Sequence, residues 1–223
     1  MATEARRSAE VEAGQAVYSR FVLACYDGFV LGFSARFAWR CRRAQMLEQY
    51  EELAGPRHLD VGVGTGWFLA HCHWRGARPV VTLLDLNENS LHAAAGRIAR
   101  LSPRTVLGNV LEPVDLGAAR FDSIGLNYLL HCLPGEIEAK AATVVSNLKP
   151  YLVPGGALFG STIVGSGVRH NAPGRFLMRI YNRKGIFSNR TDDAAGLERE
   201  LARELHDVNV RVEGVTALFS ARA

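Results

Sequence analysis

The sequence has no run of about 18 apolar residues, which argues against a membrane-spanning helix. Its four cysteines, Cys25, Cys41, Cys72 and Cys132, show no paired spacing, so neither a disulfide framework nor a cysteine-rich metal site is expected. Arg6 and Arg7 are followed by no apolar segment, so no secretory leader is expected. Lysine is scarce: Lys140, Lys149 and Lys184 stand among 26 basic residues, the rest arginine. The formal charge of +4, with a pI near 9.0, is too mild to imply a nucleic-acid partner by itself. Internal repeats and low-complexity linkers are also missing. What remains is 223 residues, 48% hydrophobic and 22% charged, enough to bury a core without staples. These features predict a globular cytoplasmic protein, of one domain or two small ones.

The patterns change along the chain. Up to about Ala54 they are helical, with Val17, Phe21, Leu23, Ala24, Ala44 and Leu47 at helical spacing. Gly28 and Gly32 are expected to break this region, and Pro56 to end it. Strands are then predicted over 58–63, 79–84, 104–107 and 121–127, and over 157–163 after a Pro154-Gly155-Gly156 turn. Helices are predicted over 67–74, 88–101 and 136–151, and over 191–206 with Thr191 as N-cap. The runs 208–212 and 215–220 are joined only by Glu213-Gly214, too short for a crossover helix, so they should pair antiparallel. The sum is a doubly wound α/β fold, largely parallel, whose ligands belong outside the carboxyl ends of the strands.

The sharpest local feature is Leu59-Asp60-Val61-Gly62-Val63-Gly64-Thr65-Gly66-Trp67, a strand running into a loop with glycine at every second position and then a helix. Such glycines permit unusual dihedrals and close approach to a ligand. The spacing is not G-x-G-x-x-G, because Trp67 stands where the third glycine of a dinucleotide fingerprint would be, and no Gly-Lys-Ser/Thr follows for a phosphate loop. Asp85 closes the next strand, where a carboxylate can accept hydrogen bonds from two ribose hydroxyls.

These segments resemble, in order, the class I S-adenosylmethionine-dependent methyltransferases over about residues 58–221. Asp60 to Gly66 looks like the family's first motif, which wraps the methionine part of the cofactor, and Leu84-Asp85-Leu86-Asn87 like the second. Phe121 to Asn127 is similar to the fourth-strand motif, and Leu148 to Gly156 to the turn before the fifth strand. The resemblance implies a Rossmann-like, mostly parallel seven-stranded sheet with an antiparallel C-terminal hairpin. It implies a helical cap over 1–57, a core over 58–223 and an acceptor-side insert at 165–190. It implies S-adenosyl-L-methionine as cofactor and S-adenosyl-L-homocysteine as product. The implied cofactor residues are Tyr26, Asp60, Gly62, Gly64, Gly66, Asp85, Leu86, Asn109, Val110 and Asn127. Asn109 departs from the family's aspartate, yet its amide oxygen can still accept from the adenine amine.

For the chemistry, His131 is the candidate base, placed just beyond the fourth strand, with a helix-start histidine bonded to backbone as the plainer alternative. Tyr128, Trp39 and Arg175 are candidate acceptor contacts, and Arg40 a candidate partner for the cofactor carboxylate. His71, Cys72 and His73 cannot easily chelate together on a helix, so no metal is expected. Residues 165–190 carry Arg169, Arg175, Arg179, Arg183, Lys184 and Arg190 and no acid. That is either a solvated face paired with the acidic helix after it, or a surface for an anionic or carrier-bound acceptor. Methylation of oxygen or nitrogen, or of carbon, in a small natural-product intermediate is the expected activity. The alternatives are a cofactor-binding enzyme that does not methylate, such as a cyclase, and a nucleic-acid methyltransferase. The last lacks the proline loop expected after Asn127.

Overall fold

The structure is a computed structural model that describes residues 27–76 and 78–223. A π-helix, Asp27–Ala38, comes first and runs through Gly28 and Gly32 without the interruption predicted there. Then follow α1 (Arg43–Leu53), β1 (Arg57–Val61), α2 (Trp67–His71), β2 (Val80–Asp85), α3 (Glu88–Arg97) and β3 (Arg104–Leu107). The second half comprises β4 (Phe121–Asn127), α4 (Ile137–Leu148), β5 (Leu152–Ile163), α5 (Ala172–Arg183), α6 (Ala194–Glu204), β6 (His206–Glu213) and β7 (Thr216–Arg222).

The strands form one seven-stranded sheet in the order β3-β2-β1-β4-β5-β7-β6. The first five are parallel, and β7 runs antiparallel to both β5 and β6. This is the expected doubly wound sheet with its terminal hairpin. The order reverses between β1 and β4, so a crevice opens at their carboxyl ends. Both faces of the central strands are covered. On one face α4 buries Ile137, Ala141, Val144, Val145 and Leu148, a helical stripe, against Leu59, Leu126 and Leu158. On the other, Met46 and Tyr50 of α1 join Leu69, Leu83, Leu91 and Phe159.

Among the boundaries that differ from the sequence reading, three have a clear local reason. Helix α2 stops at His71, where Cys72 turns to ψ 130°. Pro154-Gly155-Gly156 lies inside β5 and does not precede it: Gly155 takes φ +75° and the register with β4 shifts there, an irregularity and not a reversal. Helix α6 is capped by Asp193, whose carboxylate accepts from the Gly196 N–H, while the Thr191 hydroxyl donates to Glu136.

Between β5 and α6 the chain is tied back over the sheet. The Asn189 amide donates to the Ile163 carbonyl at 2.7 Å, and the Ser188 N–H to the His131 carbonyl at 2.8 Å. Beneath this segment Lys140 and Asp192 form a fully buried ion pair at 2.6 Å. The ammonium also donates to the Ser188 and Leu133 carbonyls. Among the described residues no helix is long and apolar enough to cross a membrane.

Candidate functional site

The crevice is shaped by the glycine loop after β1. Gly62, Gly64 and Gly66 all take positive φ (71°, 51° and 69°), which L side chains resist. Space forbids a side chain too: a Cβ on Gly62 would lie 2.8 Å from Leu129 Cδ1, and one on Gly66 2.9 Å from the Cα of Ala94 on α3. The loop is pinned where the Gly62 N–H donates to the Leu84 carbonyl and the Gly66 N–H to the Val63 carbonyl, both at 2.9 Å.

Below the loop lies an open cavity of about 810 Å³, its mouth included, a size usual for cofactor sites. Gly62, Gly64, Asp85, Leu86, Asn109, Val110, Asn127 and Tyr128 line it, among the residues expected from sequence. Leu84, Leu129, Cys132 and Leu133 supply apolar wall, and none of them was among the site residues expected from sequence. A smaller cavity of about 370 Å³ adjoins it, sharing Gly62, Gly64, Asn127 and Tyr128 and adding Tyr50, Asp60 and Gly66.

Asp85 ends β2 at the wall of the larger cavity. Its Oδ1 accepts from the Asn87 N–H at 2.8 Å. Burial pushes its pKa up to about 6, opposed by the N–H groups of Asn87, Val63 and Gly64. Asn109 folds on itself: its Oδ1 accepts from the Leu111 N–H at 3.0 Å, and its Nδ2 donates to Glu112 at 2.9 Å. One lone pair of the amide oxygen is left for a ligand. Asn127 accepts from the Ser161 hydroxyl at 2.6 Å, which leaves its buried Nδ2 unpaired at the junction of the two cavities. Tyr128 follows with φ +54°, a strained dihedral beside a cavity.

Other candidates lie off these walls. His131 is buried under the insert, with Phe187 edge-on at 4.5 Å and Tyr128 at 5.6 Å. Its Nδ1 accepts from the Ile163 N–H at 3.3 Å. Burial, with the Lys140 charge, lowers its pKa to about 3, so the ring is neutral at every working pH. Trp39 is 1% exposed and packs on Phe187 and His170. Arg175 is exposed and donates to the His170 carbonyl, and Arg40 donates to the Arg169 carbonyl and lies off the glycine loop. Tyr26 lies outside the described residues. Cys41 and Cys72 are buried thiols whose pKa is pushed up to about 12, which makes them inert packing. His71 stacks on Trp67, and His73 contacts Glu51.

Two features escaped the sequence. Tyr50, in sequence one more apolar position on a helix, donates its hydroxyl to Asp60 Oδ1 at 2.6 Å. The cations of 165–190 do not pair with the acids of α6, of which Glu204 goes to Lys149 and Glu200 to Arg203. Among the described residues none of Arg169, Arg175, Arg179, Arg183, Lys184 and Arg190 forms an ion pair.

The donor set fits an adenosyl amino acid: apolar walls for a base, a carboxylate at the end of β2 for ribose hydroxyls, a loop that a Cβ would fill, and an orphaned amide. Comparison with known proteins agrees. The methyltransferase domain family matches residues 59–158. The YbcY protein of Escherichia coli (strain K12) is 42% identical over 86% of this chain and 98% of its own. The demethylluteothin O-methyltransferase of Streptomyces thioluteus is 38% identical over 93% of this chain and 90% of its own. Among solved structures, the N-methyltransferase NodS of Bradyrhizobium japonicum with S-adenosyl-L-homocysteine superposes with TM-score 0.61 at 17% identity, over 90% of this chain and 95% of that one.

Proposed function

This chain belongs to the S-adenosylmethionine-dependent methyltransferases, and from that premise we propose that it methylates an acidic hydroxyl, or an amine, of a small natural-product acceptor. The observation that carries the acceptor class is the 38% identity, over 93% of the chain, to an enzyme named for O-methylation of demethylluteothin.

When bound, S-adenosylmethionine supplies both the methyl group and its leaving thioether. The chain's own residues bind and align. Asp85 accepts from the ribose hydroxyls. Asn109 and the backbone of Val110 meet the adenine edge, with Leu86 along its apolar flank. Asp60, Asn127 and the turns at Gly62, Gly64 and Gly66 receive the amino-acid arm, to which Tyr26 also belongs in this reading. Alignment of nucleophile, methyl and leaving group is the main catalytic contribution.

No side chain need remove a proton if the acceptor is a phenol or enol that ionises near neutral pH. That is the role left for the acceptor once His131 is buried and neutral. We therefore assign His131 to supporting the cover segment through its Ser188 and Ile163 bonds. The described part of the N-terminal segment, residues 27–57, and the insert 165–190 form the acceptor side in this reading: the Asn171 amide donates to the Phe37 carbonyl at 2.7 Å, joining the two. The unpaired cations of the insert, Arg175 among them, raise the local concentration of an anionic or carrier-bound acceptor. Trp39 and Tyr128 shape the same side from beneath. A cytoplasmic setting accords with Cys41, Cys72 and Cys132 being free thiols.

Incubation with S-adenosylmethionine and a panel of phenolic, enolic and amine acceptors tests this by mass spectrometry. S-adenosylhomocysteine should accumulate one for one with an acceptor heavier by a methyl group. Conversion of an acceptor with the sulfonium unspent would sink the proposal.

A further inference from the structure

Tyr50 sits on α1 among apolar side chains, 1% exposed. Its ring is held on two sides, stacked on Phe68 at 5.3 Å and edge-on to Phe159 at 5.1 Å. Only its hydroxyl leaves this packing, to donate to Asp60 Oδ1 at 2.6 Å where β1 gives way to the glycine loop. Burial and the neighbouring carboxylate hold the phenol well above its ordinary pKa, so it remains a donor. His58 Nε2 stands 3.6 Å from the same oxygen, beyond hydrogen-bonding range.

The consequence is an asymmetric carboxylate. Oδ1 is held from the core side, and among the described residues Oδ2 has no hydrogen-bond partner while Asp60 borders the smaller cavity. Asn127 on the same cavity is arranged in parallel: Ser161 holds its Oδ1, and its Nδ2 lies beside the phenol oxygen outside hydrogen-bonding geometry, buried and unpaired. One fixed acceptor and one fixed donor thus face the same space. An α-amino acid, with ammonium and carboxylate on one carbon, complements that pair.

We propose that Tyr50 is a positioning residue for the amino-acid arm of the methyl donor: by holding Asp60 Oδ1 it fixes Oδ2 to receive the ammonium hydrogens. This rests on the donor-binding reading above. The residue acts through Asp60 and does not touch the sulfonium or the methyl group. It links α1, and with it the packing beneath the cap, to the grip on the donor.

Tyr50→Phe tests it, since the ring and its two aromatic contacts are kept. Calorimetry would compare two ligands, S-adenosylhomocysteine and 5′-methylthioadenosine, which has the nucleoside and thioether but no amino-acid arm. The expected result is about a tenfold loss of affinity for the first, the scale of one hydrogen bond to a charged group, and less than twofold for the second. Equal weakening of both ligands, or of neither, overturns the proposal. Asp60→Asn provides a second variant: with the carboxylate gone, adding Tyr50→Phe should change S-adenosylhomocysteine affinity no further, and an independent second loss also overturns it. Failure of the wild-type protein to bind either nucleoside would defeat the donor-binding reading itself, and the two failures are thereby distinct.

Discussion

Donor affinity should depend on pH through Asp85. Its carboxyl is pushed up from 3.8 to about 6 by burial, so the free protein carries it about one-tenth ionised at pH 5 and almost wholly ionised at pH 8. Ribose hydroxyls are donors and favour the ionised form, which means binding strengthens as pH rises through this range. Affinity for S-adenosylhomocysteine should therefore fall about tenfold from pH 8 to pH 5, roughly 1.4 kcal/mol, with a limiting slope of about one decade per pH unit below 6. The sign for folding is opposite. A carboxyl that binds its proton more tightly when folded gives its largest contribution to stability below its unfolded pKa, and that contribution is lost as pH rises through about 6. Titration calorimetry across pH 5 to 8 measures the first effect. Asp85→Asn keeps the shape without the ionisation, so it should bind about tenfold more weakly at pH 8 and show a flat profile. A flat wild-type profile, or an unchanged slope in Asp85→Asn, would refute the assignment.

Other outcomes follow from the packing. Gly117→Ala, at φ +65° with open space around it, should cost about 1 kcal/mol in urea unfolding. Gly66→Ala should cost about 1–3 kcal/mol more, because its Cβ meets the backbone of Ala94; equal costs would contradict the close packing of loop on α3. Lys140→Met strands the Asp192 carboxylate and should destabilise by about 3–5 kcal/mol, with Lys140→Met/Asp192→Leu recovering most of that loss; additive losses would argue against a coupled pair. His131→Asn should lower turnover by less than about tenfold and leave both limbs of the pH–rate profile in place; loss of the acid limb would restore the histidine as base.

What the sequence disclosed was mostly local. The glycine loop, the acid ending the next strand and the short link before the hairpin each declare themselves within a few residues, since backbone dihedrals and strand ends are set by near neighbours. The parallel order followed from strand–helix alternation. What it concealed depended on contacts between distant segments. The Tyr50 hydroxyl looks like any helical core aromatic until α1 is laid against β1. Nothing near Lys140 in the sequence marks it as buried, and only the return of the chain at Asp192 gives it a buried partner. The position of His131 beyond β4 was legible, but the insert that buries it comes later in the chain. At α6 the sequence offered Thr191 as N-cap, and the cap is Asp193 because the Thr191 hydroxyl is drawn to Glu136, 55 residues away in the chain.

The central claim is that the loop from Asp60 to Gly66, with Asp85 beside it, seats the methyl donor. A crystal structure of the protein grown with saturating S-adenosylhomocysteine tests it most directly. The account predicts the ribose on Asp85, the adenine beside Val110 and Leu86, and the amino-acid arm between Asp60 and Asn127. A nucleoside lodged elsewhere, or none in that crevice, would contradict it.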